Sequence, residues 1–154
     1  MVRAWHIDEG ARLTPLDLPA DDAGAQYAQI RSAVGGSAEA AYYHRAAVLH
    51  VPSTGSVDGL EPNLAGWALA CGWRQMDLPY LLYGPIVITG SYDAESAAVG
   101  ELSGRLTAQV RTVCDTVQET VIGWRTRRPA SNEAALSELL AYTRRDLAAV
   151  ISSP

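Results

Sequence analysis

Lysine and phenylalanine are absent from this chain, cysteine occurs only twice, and charged residues make up 19% of the total, somewhat less than in an average protein. All twelve basic residues are therefore arginine, a bias that resembles translation of a GC-rich genome and says nothing about chemistry. Cys71 and Cys114 stand alone, without the CxxC spacing of a zinc or dithiol site, so a disulfide framework is excluded and two reduced, buried thiols are expected. No long apolar run is present either. The longest uncharged stretch, Leu78 to Tyr92, is too short and too rich in proline and glycine to cross a bilayer. Met1 to Glu9 has no apolar leader core, which sets the expectation of a cytoplasmic chain with no membrane contact. Gly-x-Ser-x-Gly and HExxH are both missing, and no histidine, cysteine and carboxylate set has ligand spacing. No catalytic residue, metal or cofactor is implied.

The charge is uneven. Residues 1–93 carry five arginines against ten acids, net −5, while residues 94–154 carry seven of each. An acidic chain makes a poor general nucleic-acid binder, because sequence-independent affinity comes from cations that displace counterions. The acids are also too sparse to imitate a phosphate backbone.

At 154 residues the chain is long enough for one domain that buries about two thirds of its unfolded surface. The residues predict an α+β fold. Leu81 to Gly90 is its centre: the β-branched run Ile86-Val87-Ile88, punctuated by Gly84-Pro85 and Gly90, reads as a short buried strand. Upstream, Val2 to Ile7 alternates as a strand, Asp8-Glu9-Gly10 turns, and Arg12 to Leu18 is a weaker partner interrupted by Pro15. Asp21 or Asp22 caps a helix that Gly35-Gly36 stops. Ala38 to Tyr43 and Ala46 to Val51 read as a hairpin, and Pro52 to Glu61 as a polar loop. Asn63 then caps a short helix that Gly72 ends or weakens.

After Asp93 the pattern becomes helical. Val99, Leu102, Leu106, Val110, Val113, Val117, Val121 and Trp124 recur at intervals of three and four, which predicts one helix from Ala94 to Arg127. Pro129 breaks it, and Ser131 or Asn132 caps a shorter helix. The expected organisation is an α+β core over 1–93 and a helical extension over 94–154. A helix of that length would measure about 50 Å, longer than its own domain, so its apolar stripe is expected to join a homodimer through the C-terminal helices; the competing reading is a kink near Gly100 or Gly104 that folds the helix back and buries the stripe within one chain.

Several short motifs in one order carry a resemblance. Val34-Gly35-Gly36, then Glu39 early in a strand, then Glu61-Pro62-Asn63 opening a helix, then Tyr83-Gly84-Pro85-Ile86-Val87-Ile88-Thr89-Gly90, resemble a small domain of unknown function found in actinobacterial phages and mobile elements. The likeness covers a little over a third of the chain. Ala38 departs from it, because the family has a bulky apolar residue there, and the C-terminal helices lie outside the shared pattern.

The resemblance singles out Glu39 and Asn63, which as plain residues read as an exposed strand position and a helix cap. With His44 and Tyr83 they form the candidate ligand site, a cleft beside Gly84-Pro85. His44 and His50 are expected to face each other across the hairpin, which is too few ligands for a metal. Arg125, Arg127 and Arg128 are the candidate anion site, with Arg144 and Arg145 nearby; as a bland alternative, cations at a helix C-terminus complement its dipole. The function the resemblance implies is that of a non-enzymatic phage or prophage accessory protein. It would bind a host protein or a small nucleotide-like ligand in counter-defence. The alternative is a small cytoplasmic enzyme with its site near Glu39, His44 and Asn63.

Overall fold

The computed structural model describes residues 1–56 and 58–152; Val57, in the expected polar loop, and the last two positions lie outside the described residues. Five strands, β1 (Val2–Ile7), β2 (Leu13–Leu18), β3 (Ala38–His44), β4 (Ala47–Pro52) and β5 (Ile86–Thr89), form one antiparallel sheet in the order β2-β1-β5-β4-β3. The four helices are α1 (Ala23–Val34), α2 (Leu64–Arg74), α3 (Gly104–Gly123) and α4 (Asn132–Ser152). The fold is α+β.

β5 occupies the centre of the sheet, as its composition predicts. Its residues are buried on both faces: Ile86 and Ile88 join the cluster with Leu49, Leu69 and Val110, and Val87 joins the opposite cluster with Ala4, Ile30 and Val34. Helix α1 covers that second face. Asp22 accepts from the Ala25 N–H at 3.0 Å to start it, and Gly35 ends it at φ 86°, a left-handed conformation that suits glycine.

On the first face α2 lies against the sheet, and α3 and α4 pack over α2. Gly72 does not stop α2, which runs on to Arg74 and closes at Gln75 with φ 54°. The glycine is a close-approach position instead, because the Leu147 side chain of α4 fills the space where a Cβ would stand.

The single helix expected from Ala94 to Arg127 is replaced by a shorter one. Helix α3 begins at Gly104, capped by the Ser103 hydroxyl, and is 20 residues long; α4 has 21, so the two form a matched helical hairpin and α4 is not the shorter member. Residues 94–103 form no helix, but a turn over 94–96 and a bridge of Val99 to Tyr92, because tertiary contacts outweigh the periodicity. Gly90 bonds the Gly100 carbonyl at 2.9 Å, Gly100 bonds Ser91 at 3.0 Å, and Val99 packs under α1 with Ile30 and Val87. At about 30 Å, α3 fits its own domain. Most of its stripe is covered within the chain, where Val110, Val113 and Val117 are 0%, 1% and 3% exposed, although Val121 near its end is 38% exposed. Burial of each stabilises by roughly 1.5–3 kcal/mol, and no second copy is needed to supply it. The boundary after residue 93 thus separates element types within one shared cluster that joins Leu49 and Ile88 to Val113, Leu139 and Leu147. No helix among the described residues is long and apolar enough to cross a membrane.

Candidate functional site

A groove of about 860 Å³ opens where the β1–β2 turn, the start of α2, the end of α3 and the start of α4 meet. Each wall has a local cause. Asp8 accepts from the N–H groups of Gly10 (2.9 Å) and Arg12 (2.8 Å), which closes the turn, and Gln118 of α3 donates to the Ala11 carbonyl at 2.8 Å, which anchors it. Ser131 caps α4 through the Ala134 N–H at 3.0 Å and so fixes where Leu136 emerges. The floor is apolar, with Leu64, Leu81, Val117, Trp124 and Leu136. Val121 and Ile122 form a lip, 38% and 57% exposed. Glu9, Glu61, Arg12 and Arg125 stand on the rim, none of them in an ion pair among the described residues.

The four residues of the candidate ligand site do not converge, and none of them lines this groove. Asn63 does sit beside Gly84, but sealed. It is 0% exposed; its Oδ1 accepts from the Gly66 N–H at 2.9 Å, and its Nδ2 donates to the carbonyls of Gly84 (2.9 Å) and Ile7 (3.1 Å). The side chain therefore ties β1, α2 and the turn before β5 together and has no donor left for a ligand. Glu39 is exposed on edge strand β3, opposite Val51. Tyr83 is half-buried, bridges to Pro62, and packs over Gly55.

The two hairpin histidines do not face each other. Register sets His50 opposite Ala40 and His44 opposite Ala47, with a bulge between Ala41 and His44. His44 accepts from the Ala46 N–H at 3.0 Å and its ring lies 5.2 Å from that of Trp73; burial, and then Arg45, hold it below the usual histidine range. His50 is on the other face with its Nε2 2.9 Å from the Thr89 hydroxyl, which gives its own hydrogen to the Gly90 carbonyl. The imidazole is thus the donor. Burial pushes its pKa down to about 4, so the ring is neutral at ordinary pH.

The arginines scatter as well. Arg127 pairs with Glu138 across the α3–α4 cleft, which holds that carboxyl low, Arg144 pairs with Asp77, and Arg145 with Asp146 at 2.9 Å. Arg128 is exposed, and Arg125 alone of the expected anion patch borders the groove. A shared patch fails because carboxylates of α4 and of the loop after α2 already hold three of the five guanidinium groups.

The groove residues come from five separate segments, which is why no local motif marks them. Val121 and Trp124, the last members of the apolar stripe, are the one sequence signal that points there. Among the described residues no group of three or more histidine, cysteine or acidic side chains could hold a metal ion. No family model, curated protein or solved structure matches the chain.

Proposed function

We propose that this chain is a non-enzymatic binding protein that holds its ligand in the groove between the β1–β2 turn and the α3–α4 hairpin. One observation carries the reading: a concave site of about 860 Å³ with an apolar floor and a charged rim, of the size in which small-molecule sites occur. Of the two ligand classes, a host protein or a small nucleotide-like molecule, the groove supports the second. Trp124 offers a flat surface for a ring, and Arg12 and Arg125 offer unpaired guanidinium groups for an anion, while Asp8, Glu9 and Glu61, which outnumber them, limit the ligand to a single compact charge. The phage and mobile-element resemblance supports a role in counter-defence, as a sponge that acts stoichiometrically.

The enzymatic alternative lacks such support. Asn63 is sealed, His44 is packed on Trp73, and His6 reaches the Ala33 carbonyl at 3.2 Å, all away from the groove. Calorimetric titration with mononucleotides and dinucleotides, with chromatography of the ligand afterwards, tests the reading. Saturation near one ligand per chain with the ligand recovered intact is expected, and Trp124→Ala and Leu136→Asp should abolish it. Turnover of many equivalents, binding that survives both substitutions, or no binding by any nucleotide overturns it.

A further inference from the structure

The groove's rim carries more acid than a phosphate alone accounts for, since Asp8, Glu9 and Glu61 stand against Arg12 and Arg125. The three carboxylates are not equivalent. One oxygen of Asp8 is taken up by the β1–β2 turn, where it accepts from the N–H groups of Gly10 and Arg12, and Glu9 sits at the exposed tip of that turn. Glu61 is mounted differently. Its carbonyl accepts from the Gly84 N–H at 2.9 Å, Pro62 bridges to Tyr83, and the Asn63 N–H bonds the Leu82 carbonyl at 2.8 Å, so its backbone is tied to the segment that precedes β5. The same short stretch supplies Leu64 of the apolar floor. Among the described residues no arginine or histidine pairs with the Glu61 carboxylate.

An ionised carboxylate has two acceptor oxygens and no donor. Two parallel N–H groups meet it bidentately, and such charge-assisted pairs are stronger than neutral ones. Of the common nucleobases, guanine alone carries that pair, N1–H beside the N2 amino group. Adenine and cytosine each set one amino group beside a ring-nitrogen lone pair, and uracil sets its N–H between two carbonyls, so each of them turns an acceptor toward the carboxylate. The groove also separates its charges. The acids lie on the β1–β2 turn and the approach to α2, whereas Arg125 follows Trp124 at the end of α3.

We infer that the groove selects guanine mononucleotides, with Glu61 accepting from N1–H and N2–H of a base stacked on Trp124 and Arg125 meeting the phosphate. The inference rests on the nucleotide reading given above and adds the identity of the base to it. Binding alone is involved, with no bond made or broken. Glu61 is exposed, so water competes for its oxygens, and the selectivity is that of a surface fork rather than the about 10⁴–10⁵ of a buried site.

Calorimetric titration of the full chain with GMP, IMP, AMP and UMP in one buffer tests the inference. GMP should bind at least about tenfold tighter than AMP or UMP, the size expected of hydrogen bonds to a charged group. IMP keeps N1–H and lacks the amino group, so it should fall between. Glu61→Gln exchanges one acceptor oxygen for an N–H donor and leaves the backbone bonds of residue 61 in place. It should bring GMP to within about threefold of AMP, while Glu9→Gln keeps the preference and both variants keep the wild-type circular dichroism. AMP binding as tightly as GMP, or a preference for GMP that survives Glu61→Gln, overturns the inference and leaves the nucleotide reading standing. Absence of binding by all four removes that reading, and the inference falls with it.

Discussion

Gln26 holds Val99 as a second strand would: its Oε1 accepts from the Val99 N–H at 2.8 Å and its Nε2 donates to the Val99 carbonyl at 3.2 Å. A third bond, to the Pro19 carbonyl at 2.9 Å, fixes the amide, and the side chain is 2% exposed. This clamp is why the segment before α3 stays out of the helix although its residues follow helical spacing. Gln26→Ala strands a buried N–H and C=O, at a cost of about 1–3 kcal/mol for each group left unsatisfied. Equilibrium denaturation should show a lower midpoint, and hydrogen exchange should show the Val99 amide losing protection before the rest of the sheet. Unchanged protection at Val99 would mean that the clamp does not hold the segment.

Asn63 and Glu39, joined by the resemblance, should separate completely under mutation. Asn63→Ala removes a cap worth about 1 kcal/mol and also leaves the Ile7 and Gly84 carbonyls without their donor, so the loss should exceed about 2 kcal/mol. Glu39→Ala, at an exposed edge position, should stay within about 0.5 kcal/mol. Equal and small effects in urea denaturation would return Asn63 to the role of a simple cap.

The extent of what the sequence revealed follows from the range of the forces involved. Asp22, Gly35, Asn63 and Gly84-Pro85 act on their own few neighbours, and the elements they bound are where the residues place them. Val99 and Leu102 were misleading because their spacing matches α3, yet each is buried against a different layer: Val99 under α1, Leu102 in the cluster around α2. Gly72 reads as a helix breaker until Leu147, seventy-five positions later, is seen to occupy its missing side chain. The groove was hidden for the same reason. Its walls meet only after α4 has folded back over α2, and no local pattern records that encounter.

Stability should depend on pH through His50. The folded state holds its pKa at about 4, while an unfolded histidine titrates near 6.5, so the unfolded chain binds more protons between those values. The sign follows: stability from this group is fully present above about pH 6.5 and is lost as pH falls toward 4, by roughly 3 kcal/mol in all. Carboxylates held low, such as Asp146 beside Arg145 and Thr116, change stability in the same direction at lower pH, so the comparison must be with a variant. Urea denaturation at pH 7.5 and 4.5 should show a larger drop for the wild type than for His50→Gln. Parallel drops would mean that His50 titrates normally in the fold.

Val117 and Ile122 lie on the same helix and give opposite expectations for a glutamate. An exposed dimer stripe would make Val117→Glu a dissociating but folded variant. In the structure Val117 is 3% exposed in the cluster it shares with residues of α2 and α4 and lines the groove, whereas Ile122 on the lip is 57% exposed. A carboxylate at position 117 must either remain unpaired in an apolar cluster or take up a proton, and both are costly. Its stability loss should fall in the exceptional class above about 4 kcal/mol, enough to unfold most of a marginally stable domain. Ile122→Glu should cost less than about 1 kcal/mol, because the side chain already meets water, yet it places a charge on the lip and should weaken any ligand seated on the apolar floor. Circular dichroism melts of the two variants distinguish the cases. A folded, soluble Val117→Glu protein with wild-type melting would return the stripe to the surface and with it the long-helix dimer.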